Sequence, residues 1–175
     1  MSVPEVQAED RSGYGIDTER AAGMAAALLA RLGYSGGELG VTYVTTGEME
    51  ELNAEYMGRE GATDVLSFPL DAGAVEVEAG FMAEFQAEEK ALVADLLQNT
   101  GTGSDEVPLL LGDVVICPEV AETRAAHHGN TANQELCLLL IHGILHIAGF
   151  DHETDNGEME KIQEKLFAEM CPEKD

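Results

Sequence analysis

The sequence predicts an α+β fold, with helices packed over a small sheet, and two observations carry that prediction. Short β-branched, alternating segments lie in the first two thirds of the chain, whereas helical patterns crowd the last third. One late helix is apolar on most of its surface and runs into "IHGILHIAGFDH" (141–152), which sets three histidines at the spacing of metal ligands. At 175 residues the chain can bury a real core in one unit, so residues 1–175 are expected to form a single domain.

From Asp17, "DTERAAGMAAALLARLG" has a capping residue, an alanine and leucine stripe at helical spacing, and Gly33 at its stop. "LGVTYVTT" (39–46) alternates and is β-branched, hence a strand. "TGEMEELNAEYM" follows as a helix, with Thr45 and Glu48 spaced as a capping box. "TDVLSFPL" (63–70) reads as a short strand closed by Pro69. An acidic, glycine-bounded stretch at 71–106 reads as an insertion, with helical spacing of Phe81, Phe85, Leu92 and Leu96. "VPLLLGDVVICP" (107–118) is another strand, and "PEVAETRAAHHG" a helix opened by Pro118 and ended by Gly129. "TANQELCLLLIHGILHIAG" (131–149) is the buried helix, with Thr131 and Gln134 as a capping box. "DNGEMEKIQEKLFAEM" (155–170) closes the chain as an amphipathic helix.

The chain carries 34 Asp and Glu against 9 Lys and Arg, a formal net charge of −25. A surface of that sign repels nucleic acid at long range, so polyanion binding here must rest on a local arrangement, a bound cation with a few arginines. No apolar run approaches the ~20 residues of a membrane span, and the N-terminus has no basic start followed by an apolar stretch. A soluble, unsecreted protein without membrane partners is expected. Cys117, Cys137 and Cys171 are odd in number and form no CxxC, which predicts neither a disulfide framework nor a thiolate zinc site and favours a reducing cytoplasm. On this reading Cys117 and Cys137 are small buried hydrophobes and Cys171 a tail residue.

Residues four apart on a helix lie on one face, so His142 and His146 can direct their imidazoles at one point. Gly149 permits a left-handed turn that brings His152 round as a third nitrogen ligand at zinc distance, about 2.0–2.1 Å. Three protein ligands leave a fourth position open to water, which marks a catalytic zinc site. Glu135, seven residues before His142, and Asp151 are carboxylates that could orient the imidazoles. Their plainer readings are a charge in a helix's first turn and a turn residue. His127 and His128, at the end of the preceding helix, read as residues favouring its dipole rather than as ligands.

The blocks "LNAEY" (52–56), "TDVLSFP" (63–69), "LGDVVI" (111–116), "EL" (135–136) and "HGILHIAGFDH" (142–152), in this order, resemble the YbeY endoribonucleases, or rRNA maturation factors. That resemblance implies a small mixed sheet covered by helices, with zinc on His142, His146 and His152 at the mouth of a groove. It also implies a single-strand-specific endoribonuclease of the bacterial cytoplasm, acting in 16S ribosomal RNA maturation and ribosome quality control. Its partners would be ribosomal RNA and the ribosome or its proteins. Thr63, Asp64, Ser67 and Asp113, within the matching blocks, are candidates for lining the groove, with turn capping and strand-end hydrogen bonding as the alternatives. Two departures stand out. The family commonly has an arginine after the tyrosine of the first block, where this chain has Met57, and Arg59 two residues later is the candidate catalytic arginine, with a solvated loop arginine as the alternative. The acidic stretch between Pro69 and Leu111 is longer than the usual connection.

The histidine spacing is also that of HExxHxxGxxH zinc peptidases, which carry a glutamate base where this chain has Gly143. Without that base, phosphodiester cleavage fits better, because a metal can polarise a phosphate oxygen and acidify water. A third reading is a ribosome-associated binding module with a structural zinc, its acidic face meeting basic ribosomal proteins.

Overall fold

Four strands form one sheet in the order β1, β2, β4, β3, in a computed structural model that describes residues 3–70 and 109–171. The elements are β1 (Glu5–Asp10), α1 (Thr18–Arg31), β2 (Glu38–Tyr43), α2 (Thr46–Met57), β3 (Val65–Pro69), β4 (Leu110–Ile116), α3 (Pro118–His128), α4 (Ala132–Ile147) and α5 (Glu158–Met170). The acidic insertion, with its expected helix, lies outside the described residues.

The expected α+β class and the mixed sheet are both present. β1 and β4 run parallel to β2, and β3 pairs antiparallel with β4. β1 is an element that its sequence, "EVQAED", did not predict. Its polar side chains suit an edge strand, and backbone pairing with β2, from Glu5 with Glu38 to Asp10 with Tyr43, makes it one. The predicted helix boundaries hold closely. Asp17 accepts from the Arg20 backbone N–H at the start of α1. Thr131 and Gln134 form the full reciprocal capping box of α4, and Gly129 ends α3 in the left-handed conformation.

Side chains alternate across β4 and so fill two cores. Val114 and Ile116 face a large cluster with Leu28 and Leu29 of α1 and with Leu140, Ile141 and Ile144 of α4. Val115 faces the other way, with Leu66 and with Met49 of α2. In α4, Leu140, Ile141, Ile144 and Leu145 are essentially solvent-free. Each such side chain contributes about 1.5–3 kcal/mol of hydrophobic stabilisation, so the helix bearing the histidines is firmly anchored.

α4 sits unusually close to the sheet. A Cβ at Gly143 would lie 2.5 Å from Val114 Cγ1, and the Ser67 hydroxyl of β3 donates to the Gly143 carbonyl at 3.1 Å. Glycine in a helix interior costs about 1 kcal/mol relative to alanine. Here that cost is accepted because any side chain would push α4 off the sheet.

The cysteine prediction is corrected. Cys137 and Cys171 form a disulfide with a Cα–Cα distance of 5.9 Å, and Cys117 alone is free and buried. α5 folds back antiparallel over α4, bringing the end of the last helix to the first turns of the one that carries His142 and His146. A separation of 34 residues gives no hint of this before the helices are docked.

Two predictions follow from this packing. Gly143→Ala should lower stability by about 1–3 kcal/mol, the range for overpacking a tight core. Part of that loss should return when Val114→Ala is added, as a urea-unfolding double-mutant cycle would show; additive losses would contradict the steric account. Reducing the disulfide should cost about 2–4 kcal/mol for a loop of this length, and superimposed unfolding curves for oxidised and reduced protein would count against it.

Candidate metal centre

The capped, buried helix α4 places His142 and His146 one turn apart near its C-terminus, with their Nε2 atoms 3.1 Å from each other. The helix then ends in a Schellman turn. Gly149 adopts φ +99°, its N–H donates to the His146 carbonyl, and the Phe150 N–H donates to that of Leu145. Phe150 is buried, which pins the reversal. The returning chain sets the His152 ring 5.3 Å from that of His142 and 5.1 Å from that of His146, centroid to centroid. One nitrogen from each ring falls within 4.8 Å of the others. Tetrahedral ligands at zinc distance are about 3.3 Å apart, so the two helical nitrogens already fit, and a small movement of the exposed His152 completes the set.

The protonation chemistry also suits a metal. Burial pushes the pKa of His142 below the ordinary histidine value, outweighing the opposing effect of the hydrogen bond that His142 donates to Gln163. The charge of His152 adds to the lowering, and that of Asp64 works against it. Burial likewise lowers His146, helped by the charges of His142 and His152 and opposed by a Phe150 backbone hydrogen bond and by Asp151. Both imidazoles are therefore neutral at pH 7, the form that binds metal. His142 Nδ1 lies 2.7 Å from Gln163 Oε1 of α5. An amide oxygen can only accept, so Nδ1 carries the proton and Nε2 keeps its lone pair for the cluster.

A cleft of about 320 Å³ opens beside the histidines, lined by His142, His152, Asp155, Met159, Glu160 and Gln163. Two of these are acidic, so the cleft itself brings no cation toward a phosphate.

The remaining candidates are scattered around this centre. Asp64 accepts from the Val65 N–H (2.8 Å) and the Thr63 hydroxyl (3.3 Å), and its second oxygen pairs with Arg124 of α3 at 2.7 Å. Its charge reaches His142. Ser67 bonds the histidine-bearing helix itself, at the Gly143 carbonyl. Asp113 is exposed and packs over Gly40, on the sheet face opposite the one that Val114 presents to α4. Arg59 is exposed on the loop after Gly58, which Asn53 of the "LNAEY" block shapes by donating to the Gly61 carbonyl at 2.8 Å.

Glu135, one of the two carboxylates that could orient an imidazole, lies in the first turn of α4 as its plainer reading has it, buried at the α3–α4 corner. It holds His128 Nδ1 and the Asn130 side-chain amide, each at 2.9 Å. Seven residues along a helix are about 10 Å of rise, which separates it from His142. Asp151 shapes the turn by accepting from the Glu153 N–H, and acts on His146 only through its charge. His127 bonds the Thr123 carbonyl of its own helix. Sequence reasoning missed Gln163 and Arg124. Each lies on an amphipathic helix among solvated polar residues, and only the docking of α5 and α3 gives it a partner.

The family model described as endoribonuclease YbeY matches residues 9–171. A protein of Salinispora tropica called endoribonuclease YbeY is 36% identical over 166 residues, covering 93% of this chain and 94% of its own length. One of the same name from Micrococcus luteus is 34% identical over 170 residues, covering 94% of this chain and 91% of its own. The solution structure of TM1509 from Thermotoga maritima shares the fold at TM-score 0.55 and 25% identity, over 94% of this chain and 88% of that one. The family match runs from the end of β1 through the loop after α2 to the three-histidine helix and turn, and the chain belongs to the endoribonuclease YbeY family.

Proposed function

We propose that the chain is a metal-dependent endoribonuclease that cuts single-stranded RNA, with 16S ribosomal RNA in the bacterial cytoplasm as its substrate and zinc as its ion. The observation that carries this is the cluster of His142, His146 and His152, three imidazoles with ligand nitrogens within 4.8 Å of one another beside an open cleft. A divalent ion held there supplies Lewis-acid polarisation of a phosphate oxygen and acidifies water. No helix of the described residues is long and apolar enough to cross a membrane.

The protein's own residues then have distinct tasks. His142 and His146 stay unprotonated because they are half buried, and Gln163 orients the first of them. Asp64 anchors Arg124, whose guanidinium is half exposed and keeps donors free for a phosphate. Thr63 supports that carboxylate. Arg59, mounted on the exposed loop, supplies a second cation to the RNA backbone. Ser67 serves by holding the metal-bearing helix, and Asp113, on the far face, lies apart from the chemistry.

The peptidase reading loses its footing at Gly143. That position faces Val114 and the sheet, so a glutamate there has no room and no line to the cluster. The binding-module reading keeps one supporting observation: Asp155 and Glu160 line the cleft in a chain of net charge −25, and an acidic surface suits basic proteins better than RNA.

His142→Ala should abolish stoichiometric zinc binding and reduce cleavage of single-stranded ribosomal RNA by at least ~100-fold, with casein untouched by either form. Casein cleavage by the wild type would restore the peptidase reading, and zinc binding without cleavage of either substrate would favour the binding module. The site also predicts a pH dependence. Folding holds His142 and His146 below the ordinary value of about 6.5, so the unfolded chain binds more protons near that pH. Stability of the metal-free protein should therefore be full above about pH 6.5 and decline as pH falls through it toward the lowered values. His152, Asp64 and Asp151 are the titratable groups that act on this pair. Urea unfolding at pH 7.5 and 5.5 checks the sign, and a rise in stability at the lower pH would contradict it.

A further inference from the structure

We propose that Gln163 is a positioning residue for His142, fixing the tautomer and ring orientation that the metal site requires. The inference rests on the three-histidine metal reading. Its starting point is the 2.7 Å contact between Gln163 Oε1 and His142 Nδ1, made across two helices 21 residues apart in sequence.

The contact is held in place. α5 docks through Met159, Ile162 and Leu166, all buried, and Gln163 flanks this apolar stripe at the edge of the cleft. The Cys137–Cys171 disulfide then fastens the end of α5 to α4. Gln163 is thus tied to the helix it acts on at a packed stripe and at a covalent bond. His142 depends on it, because an imidazole with two free nitrogens populates both tautomers, and only one presents Nε2 as a ligand.

The choice of an amide is also informative. A ligating histidine often donates its second N–H to a carboxylate, which adds a negative charge. Asp155 and Glu160 already line this cleft, and a third anion would further oppose an approaching phosphate. A neutral acceptor fixes the proton on Nδ1 without that charge.

The test compares wild type, Gln163→Ala and Gln163→Glu by zinc titration against a chromophoric chelator. Long-range proton–nitrogen NMR reads the His142 tautomer in the metal-free proteins, and thermal unfolding verifies that each variant folds. Gln163→Ala should weaken zinc binding by about 10–100-fold and leave His142 in a mixture of tautomers. Gln163→Glu should keep the Nδ1–H tautomer and hold zinc within a few-fold of wild type. Equal losses in both variants, or wild-type affinity and tautomer in Gln163→Ala, overturn the inference while leaving the metal reading intact. A wild type that binds no zinc overturns the metal reading and this inference with it.

Discussion

The close approach of α4 to β4 at Gly143 governs the rest of the molecule. With no side chain at that position, the helix backbone settles onto Val114, and its carbonyl reaches the Ser67 hydroxyl on the adjacent strand. Leu140, Ile141, Ile144 and Leu145 pack around this contact, so the helix face carrying His142 and His146 has one depth and one rotation relative to the sheet. The glycine that stands where a peptidase keeps its base is a packing requirement here.

That rigid base contrasts with how the third histidine is supplied. His152 comes from a turn set by Gly149 and pinned by buried Phe150, and the ring itself is exposed. Two of the candidate ligands are thus preorganised and one can move. Such a division lowers the ordering cost of the site and leaves an open side for a substrate. The last helix completes the arrangement from the other direction, with Gln163 behind His142 and a disulfide at its end.

The electrostatics explain why the cations sit in partnerships. With 34 acidic residues in the chain, Arg11 pairs with Glu48, Arg31 with Glu169 and Arg124 with Asp64. Pairing at the surface contributes little to stability, but it sets where a guanidinium stands. For Arg124 that place is beside the carboxylate whose charge reaches His142. A chain whose overall field opposes RNA can engage it only through such fixed local charges and a bound ion.

By itself the sequence determined what local chemistry controls. Caps at Asp17 and Thr131, stops at Gly129 and Gly149, and the alternation of β2 all act over a few residues, so their elements were legible. So was the trio His142, His146 and His152, because a helix turn and a glycine reversal bring them together within eleven residues. The tertiary structure alone decided the polar edge strand β1, the bond between Cys137 and Cys171, the burial of Glu135 against His128 rather than behind a ligand, and the partners of Gln163 and Arg124. Each of these depends on which helix face meets which neighbour, a property of docked surfaces that sequence spacing does not encode.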